Sequence, residues 1–173
     1  MPEVRGNTTH IIQGEFATTS DPEHRISTLL GSCVSVCLWD ENAGIGGMNH
    51  MVLPEGTGVE IRSSSIGASA MELLINALLR GGGTRENLKA KMFGGASMVE
   101  GLSTIGERNA AFARDYLKRE AIPLLAESVG GKEARQVRFW PALGRVQMRS
   151  VANKPVELPP QAAIQHVNDV ELF

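Results

Sequence analysis

Residues 30–54 of this chain read LGSCVSVCLWDENAGIGGMNHMVLP, and this stretch decides the fold. The segment Val34–Asp40 alternates between two faces and is rich in β-branched residues, which predicts a strand. Residues 45–53 predict a second strand, because turn-forming residues precede them and a proline follows them. The stretch therefore predicts a β-hairpin, with Cys33 immediately before the first strand and His50 inside the second.

The rest of the chain predicts further strands and two helices. Strand patterns occur at residues 10–17, 26–30, 88–93, 122–126, 136–140 and 145–151. Residues 64–80 predict a helix, because apolar residues recur there at helical spacing: Ile66, Ala70, Leu73, Leu74, Ala77 and Leu78. A second helix is predicted to begin at the capping-box pattern of residues 104–107. Since the strands cluster early and late with helices between them, the pattern favours an α+β fold over a regular βαβ array.

The composition is that of a soluble globular protein with one domain. The chain has 173 residues, of which 42% are hydrophobic and 21% charged, so it is long enough to build a core. Its 17 Lys and Arg against 19 Asp and Glu give no basic surface field, which argues against nucleic-acid binding. No apolar run reaches the ~20 residues that cross a bilayer, and no signal peptide is evident. We therefore expect a cytoplasmic protein without membrane insertion, and a loosely held tail at residues 153–173 where prolines accumulate.

The two cysteines, Cys33 and Cys37, differ in their surroundings. On one strand such a pair lies ~13 Å apart, too far for a disulfide, which fits a reducing compartment. Cys37 lies within an apolar alternating strand and is expected to be a buried small hydrophobic residue. Cys33 follows Gly31 at a strand boundary, where it is either a core residue or a nucleophile. Two cysteines on a strand do not cluster as metal ligands, so neither a metal nor a cofactor is expected.

A nucleophilic thiol needs a base, because the thiolate is the reactive form. His50 is the histidine that lies in the strand predicted to fold back toward Cys33. A histidine inside a strand is more often structural than catalytic, so the pattern alone leaves both interpretations open. The remaining histidines lie in polar or proline-rich surroundings: His10, His24 and His166.

The glycine run that follows the strand at residues 88–93 lacks the lysine and the spacing of a phosphate-binding loop. Gly94 and Gly95 serve either a turn with positive φ or a close approach of the backbone to the site. We favour the close approach.

Four motifs stand in order along the chain. They are Leu30-Gly31-Ser32-Cys33-Val34, Gly46-Gly47-Met48-Asn49-His50 with Leu53-Pro54, Gly94-Gly95-Ala96-Ser97-Met98, and Ile105-Gly106-Glu107-Arg108-Asn109. Together they resemble the CheD family, the chemoreceptor glutamine deamidases of bacterial and archaeal chemotaxis. Any one of these motifs is weak evidence, but four in register over residues 10–151 are specific.

The resemblance implies a compact αβ sandwich with two main helices packed on β-sheet layers, similar to the deamidase domains of cytotoxic necrotizing factor toxins. It also implies a Cys-His-Thr catalytic set, with Cys33 as nucleophile and His50 as general base and acid. The family threonine lies six residues before the cysteine, and Ser27 stands at that position here. Thr28 follows it, but strand alternation predicts that its side chain points to the opposite face. We therefore expect Ser27 to be the hydroxyl that orients His50.

The activity implied by the resemblance is deamidation of receptor glutamines through a cysteine thioester, with some receptor methylesterase activity. The substrate is expected on the cytoplasmic coiled coil of methyl-accepting receptors, and the CheC phosphatase is the expected partner of a monomeric protein. Two alternatives remain open. One is another Cys-His acyl-transfer enzyme, such as a transglutaminase or a peptidase. The other is a non-catalytic regulatory partner of CheC.

Overall fold

The computed structural model of the chain describes residues 1–54, 60–98, 104–152 and 170–173. Its strands are β1 (Glu3–Arg5), β2 (Thr8–His10), β3 (Phe16–Thr19), β4 (Arg25–Leu30), β5 (Val34–Asp40), β6 (Ile45–Asn49), β7 (Leu88–Gly94), β8 (Leu124–Val129), β9 (Ala134–Trp140), β10 (Arg145–Val151) and β11 (Val170–Leu172). Its helices are α1 (Glu60–Arg80) and α2 (Thr104–Arg119), with short 3-10 turns at Arg85–Asn87 and Pro141–Leu143.

The strands form two mixed sheets that pack face to face. The outer sheet has the order β1-β2-β4-β9-β10-β11, and the inner sheet has the order β3-β6-β5-β7-β8. An apolar layer fills the space between the sheets, with Cys37, Trp39 and Met48 of the inner sheet among its members. The other face of the inner sheet carries α1 and α2, whose apolar side chains pack on Val36 and Leu38. The order outer sheet, inner sheet, helices confirms the predicted α+β sandwich, whereas its likeness to cytotoxic necrotizing factor toxins stays a prediction.

The predicted hairpin is confirmed. β5 pairs antiparallel with β6, with Cys37 opposite Met48, and every residue of β5 is buried because layers cover both of its faces. The second strand is shorter than predicted and ends at Asn49. There the Asn49 side-chain oxygen accepts the Val36 N–H at 2.9 Å, which interrupts the ladder. Pairing resumes at one position, where the main chains of Val34 and Met51 exchange hydrogen bonds of 2.9 and 2.8 Å.

The bounds of some strands shift by a few residues, such as Leu124–Val129 for the predicted 122–126, and two elements differ more. The single strand expected at residues 10–17 is wrong, because the chain leaves the outer sheet after β2, turns at residues 12–15 and enters the inner sheet as β3. The helix predicted from residue 64 begins at Glu60, and its buried face is rotated from the predicted one. Ile66 and Leu73 are 49% and 50% exposed, whereas Met71 and Ile75, which were outside the predicted stripe, are fully buried.

The C-terminal residues correct another expectation. Val170–Leu172 form an edge strand on β10, and the Phe173 main chain exchanges two hydrogen bonds with Val146. The Phe173 ring packs edge-on against Phe93. The end of the predicted loose tail is therefore part of the outer sheet, and residues 153–169 lie outside the described residues. In the described part of the chain, no helix is long and apolar enough to cross a membrane.

Candidate active site

Cys33 and Cys37 occupy different environments, as the sequence predicts. Cys37 is fully buried between the two sheets, and burial raises the pKa of its thiol far above the ordinary value. Cys33 lies in the loop that joins β4 to β5 and is only partly buried. Burial raises the pKa of the Cys33 thiol as well, and the residue's own backbone N–H partly offsets that rise. Cys33 is the accessible thiol of the pair.

The loop that carries Cys33 is held by its carbonyl groups. The Gly31 carbonyl accepts the Ala96 N–H at 2.9 Å, and the Cys33 carbonyl accepts the Gly95 N–H at 2.8 Å. The Ser32 carbonyl accepts a hydrogen bond of 2.9 Å from the amide of Asn109, a buried residue of α2. Since the C=O and N–H of a trans peptide point in opposite directions, this bond turns the Cys33 N–H away from α2. That N–H is near enough to the Cys33 thiol to lower its pKa.

The glycine run supports this loop by close backbone contact, and both Gly94 and Gly95 also have a positive φ, so both expected functions of these glycines are present. A Cβ placed on Gly94 would lie 2.1 Å from the Cys33 carbonyl oxygen, and its φ of +111° is in the region that favours glycine. A Cβ on Gly106 of α2 would lie 2.4 Å from the Gly95 oxygen. These glycines let α2 and the end of β7 press directly against the cysteine loop.

His50 follows β6, is 8% exposed, and is held on three sides. Its main-chain N–H donates to the Glu15 carbonyl at 3.0 Å, and its carbonyl accepts the Gly14 N–H at 2.9 Å. Its ring nitrogen Nδ1 lies 2.8 Å from the Thr28 hydroxyl of β4, in the other sheet. Burial lowers the pKa of His50, an effect that nearby Glu15 partly opposes.

The Thr28 hydroxyl decides which ring nitrogen of His50 carries the proton. A hydroxyl has one proton to donate, and Thr28 donates it to the Ile11 carbonyl at 2.7 Å. Thr28 Oγ1 is therefore the acceptor in its bond with His50, and Nδ1–H is the donor. This tautomer leaves Nε2 without a proton. Burial lowers the pKa of His50, which favours the neutral imidazole, and in that form Nε2 can accept a proton.

The expectation that Ser27 orients His50 is corrected by this geometry. Alternation along β4 places Ile26, Thr28 and Leu30 on the face toward the inner sheet, and both Ile26 and Leu30 belong to the layer between the sheets. Ser27 lies on the opposite face with exposed Leu29. The position six residues before Cys33 does not show which side chain of β4 faces His50. Residues 31–33 are a loop, so the alternation of β4 does not continue to Cys33.

The hairpin places Cys33 and His50 on one face. Val34 and Met51 are paired and pack on the helix side of the inner sheet. Cys33 packs instead against the layer between the sheets, and the His50 ring reaches Thr28 of the outer sheet. Cys33 and His50 are diagonal neighbours across the Val34–Met51 pair. In an antiparallel ladder the Cα atoms of such neighbours are ~7–8 Å apart. The same face points toward Thr28 of the outer sheet. The structure thus brings together Thr28 of β4, Cys33 of the loop before β5 and His50 of the segment after β6.

A cleft of about 380 Å³ opens beside His50. One wall is formed by residues 13–16 and 49–52, and the other by exposed apolar side chains of α1, including Ile66 and Leu73. The Gln13 carboxamide oxygen lies 3.9 Å from Cys33 Sγ. Sequence reasoning missed Gln13, although the glycine that follows it inside a strand pattern is a signal for a turn.

The remaining candidate residues lie elsewhere. His24 Nε2 lies 2.7 Å from the Thr9 hydroxyl, which gives it a structural role between β2 and β4. His10 ends β2, and His166 lies outside the described residues. Across residues 1–54, 60–98, 104–152 and 170–173, no group of three or more His, Cys, Asp or Glu side chains could hold a metal ion.

Known proteins resemble this chain over most of its length. The family model described as CheD chemotactic sensory transduction matches residues 52–150. A "Probable chemoreceptor glutamine deamidase CheD" of Caulobacter sp. (strain K31) is 46% identical over 172 residues, covering 95% of this chain and 92% of the relative. A protein of the same name from Agrobacterium fabrum is 42% identical over the full length of both chains, and one from Cereibacter sphaeroides is 48% identical over 86% of this chain and 74% of the relative.

Among solved structures, the hypothetical protein YfiH of Bacillus licheniformis superposes with a TM-score of 0.42 at 16% identity, over 65% of this chain and 49% of that chain. The family assignment comes from sequence. The matched model covers more than half of the chain, and relatives above 40% identity cover nearly all of it. This chain belongs to the CheD family.

Proposed function

We propose that this protein is a cysteine-dependent protein-glutamine deamidase that converts glutamines of methyl-accepting chemotaxis receptors to glutamate. Its relatives carry the name chemoreceptor glutamine deamidase. The observation that carries the proposal is the hydrogen-bond chain from the Ile11 carbonyl through Thr28 to His50 Nδ1. These hydrogen bonds leave Nε2 of His50 as a base on the face that Cys33 shares.

The resting site is a neutral pair. Burial raises the pKa of the Cys33 thiol and lowers the pKa of His50, so at neutral pH the thiol and the uncharged imidazole are the stable forms. Proton transfer from Cys33 to His50 Nε2 therefore accompanies attack on the substrate, with His50 as general base. The Thr28 bond stabilises the imidazolium that forms, because hydrogen bonds to charged groups are the stronger ones.

The reaction then follows from the residue types. The thiolate attacks the carboxamide carbon of the glutamine, and the carbonyl π electrons move to the oxygen, which becomes an oxyanion beside the Cys33 N–H. The imidazolium gives its proton to the nitrogen as the C–N bond breaks, so ammonia leaves and a thioester remains. His50 next takes a proton from a water that attacks the thioester. Collapse of this second intermediate releases glutamate and restores the Cys33 thiol.

Three further expectations extend this proposal. A glutamate methyl ester presents the same acyl carbon with a better leaving group, so receptor methylesterase activity belongs to the same site. The apolar wall of α1 at Ile66 and Leu73 supports a substrate whose glutamine is flanked by apolar side chains, as on a receptor coiled coil. On the family resemblance we also propose that the protein binds CheC, and from its composition and cysteines that it is a monomer of the cytoplasm.

The test is incubation with cytoplasmic fragments of receptors, followed by intact-protein and peptide mass spectrometry and an ammonia assay. Wild-type protein is expected to convert specific glutamines to glutamate, and Cys33→Ala and His50→Ala are expected to abolish the conversion. His24→Gln is the matched control, because His24 contacts Thr9 and not the site. Ammonia release without cleavage of the fragment separates deamidation from peptidase action. Receptor fragments that stay unchanged with the wild type, or changed equally by Cys33→Ala, would overturn the proposal.

A further inference from the structure

Gln13 occupies a tight turn that aims its side chain at the nucleophile. The Glu15 N–H donates to the Ile12 carbonyl at 3.0 Å, which closes a four-residue turn. Gly14 is the third residue and has a φ of +86°, the requirement of a type II turn. Gln13 is the second residue of that turn, and its carboxamide oxygen accepts the Cys33 S–H at 3.9 Å.

The turn is fixed to the catalytic residues, although Gln13 itself is exposed. The main chain of His50 is bonded to Gly14 on one side at 2.9 Å and to Glu15 on the other at 3.0 Å. The Glu15 carboxylate also accepts the Ile12 N–H at 2.9 Å within the turn. The main chain of Gln13 is therefore held in a constant position relative to His50.

The distance suits a hydrogen-bond donor to an oxyanion. An oxyanion on a carbon bonded to Sγ lies one bond beyond that carbon, and its donors lie at about 2.7–3.1 Å from it. A donor in that position is ~4 Å from the sulfur. The Gln13 carboxamide oxygen lies 3.9 Å from Cys33 Sγ. A half-turn of the terminal torsion exchanges the carboxamide oxygen and the NH₂ group.

The exchange follows the protonation of the sulfur. While Cys33 is a thiol, the Gln13 oxygen accepts its S–H. When His50 has taken that proton, no S–H is left to accept, and the NH₂ end becomes the favourable one toward the developing negative charge. The carboxamide thus offers an acceptor in the resting site and a donor in the reacting one.

Resting on the proposed function, we propose that Gln13 is a catalytic residue whose side-chain NH₂ is the second donor of the oxyanion hole. The Cys33 N–H is the first donor, since Asn109 turns it away from α2 through the Ser32 carbonyl. Two donors at one oxyanion are typical of acyl-transfer sites.

The experiment uses 4-nitrophenyl acetate, which acylates a nucleophilic cysteine without any receptor, and compares it with iodoacetamide, whose reaction forms no oxyanion. Gln13→Ala and Gln13→Glu are expected to lower the rate constant of Cys33 acylation ~10²–10³-fold, the usual loss for one donor. Alkylation of the fully ionised thiolate is expected to keep its wild-type rate in both variants. Gln147→Glu on β10 is the control for the added charge. Thermal unfolding checks that the variants fold. Because the Gln13 side chain is exposed, we expect its replacement to leave folding intact.

Three results would overturn the inference. These are wild-type acylation rates in Gln13→Ala, equal losses of acylation and alkylation, or Cys33-dependent conversion of Gln13 itself to glutamate in the wild type. A wild-type protein whose Cys33 is not acylated by 4-nitrophenyl acetate overturns both proposals. If the wild type is acylated in a Gln13-dependent way but leaves receptor glutamines unchanged, the proposed substrate is wrong and the role of Gln13 stands.

Discussion

Thr28→Val tests the assignment of the orienting hydroxyl most directly. Valine has the shape of threonine without the hydroxyl, so the substitution removes two bonds and leaves the packing of β4 nearly unchanged. The lost bonds are the one to the Ile11 carbonyl at 2.7 Å and the one from His50 Nδ1 at 2.8 Å. All three residues are at most 8% exposed, so solvent does not readily replace the missing partner.

The expected magnitude follows from what the hydroxyl does in each state. In the reaction it accepts a hydrogen bond from an imidazolium, and such a charged bond contributes about 1.5–3 kcal/mol. At ~1.4 kcal/mol for each factor of ten, kcat is expected to fall ~10- to 150-fold. In the resting protein, the orphaned Ile11 carbonyl and the Nδ1–H cost about 1–3 kcal/mol each in the free energy of unfolding.

The assay is receptor deamidation followed by mass spectrometry, beside urea unfolding of the same preparations. Ser27→Ala is the matched control, because Ser27 lies on the face of β4 away from His50. It is expected to keep near wild-type kcat. A Thr28→Val protein with wild-type kcat, together with a Ser27→Ala protein that has lost activity ~10-fold or more, would refute the reasoning and restore the assignment made from sequence.

Two further changes probe the support of the site. Asn109→Leu removes both the donor to the Ser32 carbonyl and the acceptor of the Leu53 N–H, each at 2.9 Å. We expect the free energy of unfolding in urea to fall by about 2–5 kcal/mol and kcat to fall as well. Unchanged values of both would contradict the role given to Asn109. Since burial raises the pKa of Cys33 and lowers that of His50, the rate of Cys33 alkylation by iodoacetamide is expected to keep rising with pH beyond ~8.5, the ordinary thiol pKa. A rate plateau reached near neutral pH would instead show a thiolate–imidazolium pair.

The sequence predicted those elements whose pattern is long and bounded by turn residues. The segment Val34–Asp40 was predicted to the residue, because it alternates over its whole length and ends at a turn. The segment Arg145–Val151 was also predicted to the residue. The start of α2 at Thr104 matched its capping-box pattern. In these places local chemistry and tertiary structure agree, so the local pattern suffices.

The errors have a common physical cause, which is that contacts distant in sequence decided the outcome. Residues 10–17 have the pattern of a strand, yet main-chain bonds from Gly14 and Glu15 to His50 hold a turn in their middle. In α1 two apolar faces compete, and packing on the inner sheet selects the one with Met71 and Ile75. The opposite face, with Ile66 and Leu73, borders the cleft. The sequence shows both faces but not which of them meets the sheet.

The candidate site shows the same division between local and distant information. Cys33 and His50 could be proposed as a pair from the sequence, because the hairpin that joins them is a local structure. Thr28 could not be placed, since its face depends on how the outer sheet packs on the inner one. Gln13 reaches Cys33 only because the chain crosses between the sheets at that turn.

His50 is the residue through which these separate pieces become one site. Its ring binds Thr28 of the outer sheet, its main chain carries the turn that presents Gln13, and its neighbour Met51 pairs with the residue after Cys33. A shift of one sheet against the other would therefore change the tautomer of the base, the position of the carboxamide and the reach of the thiol together. The fully buried strand β5 resists such a shift, because it is packed by the outer sheet on one face and by both helices on the other. The rigidity of the sandwich is thus a requirement of the proposed chemistry, since the proposed base, nucleophile and oxyanion donor come from three segments and must keep one geometry.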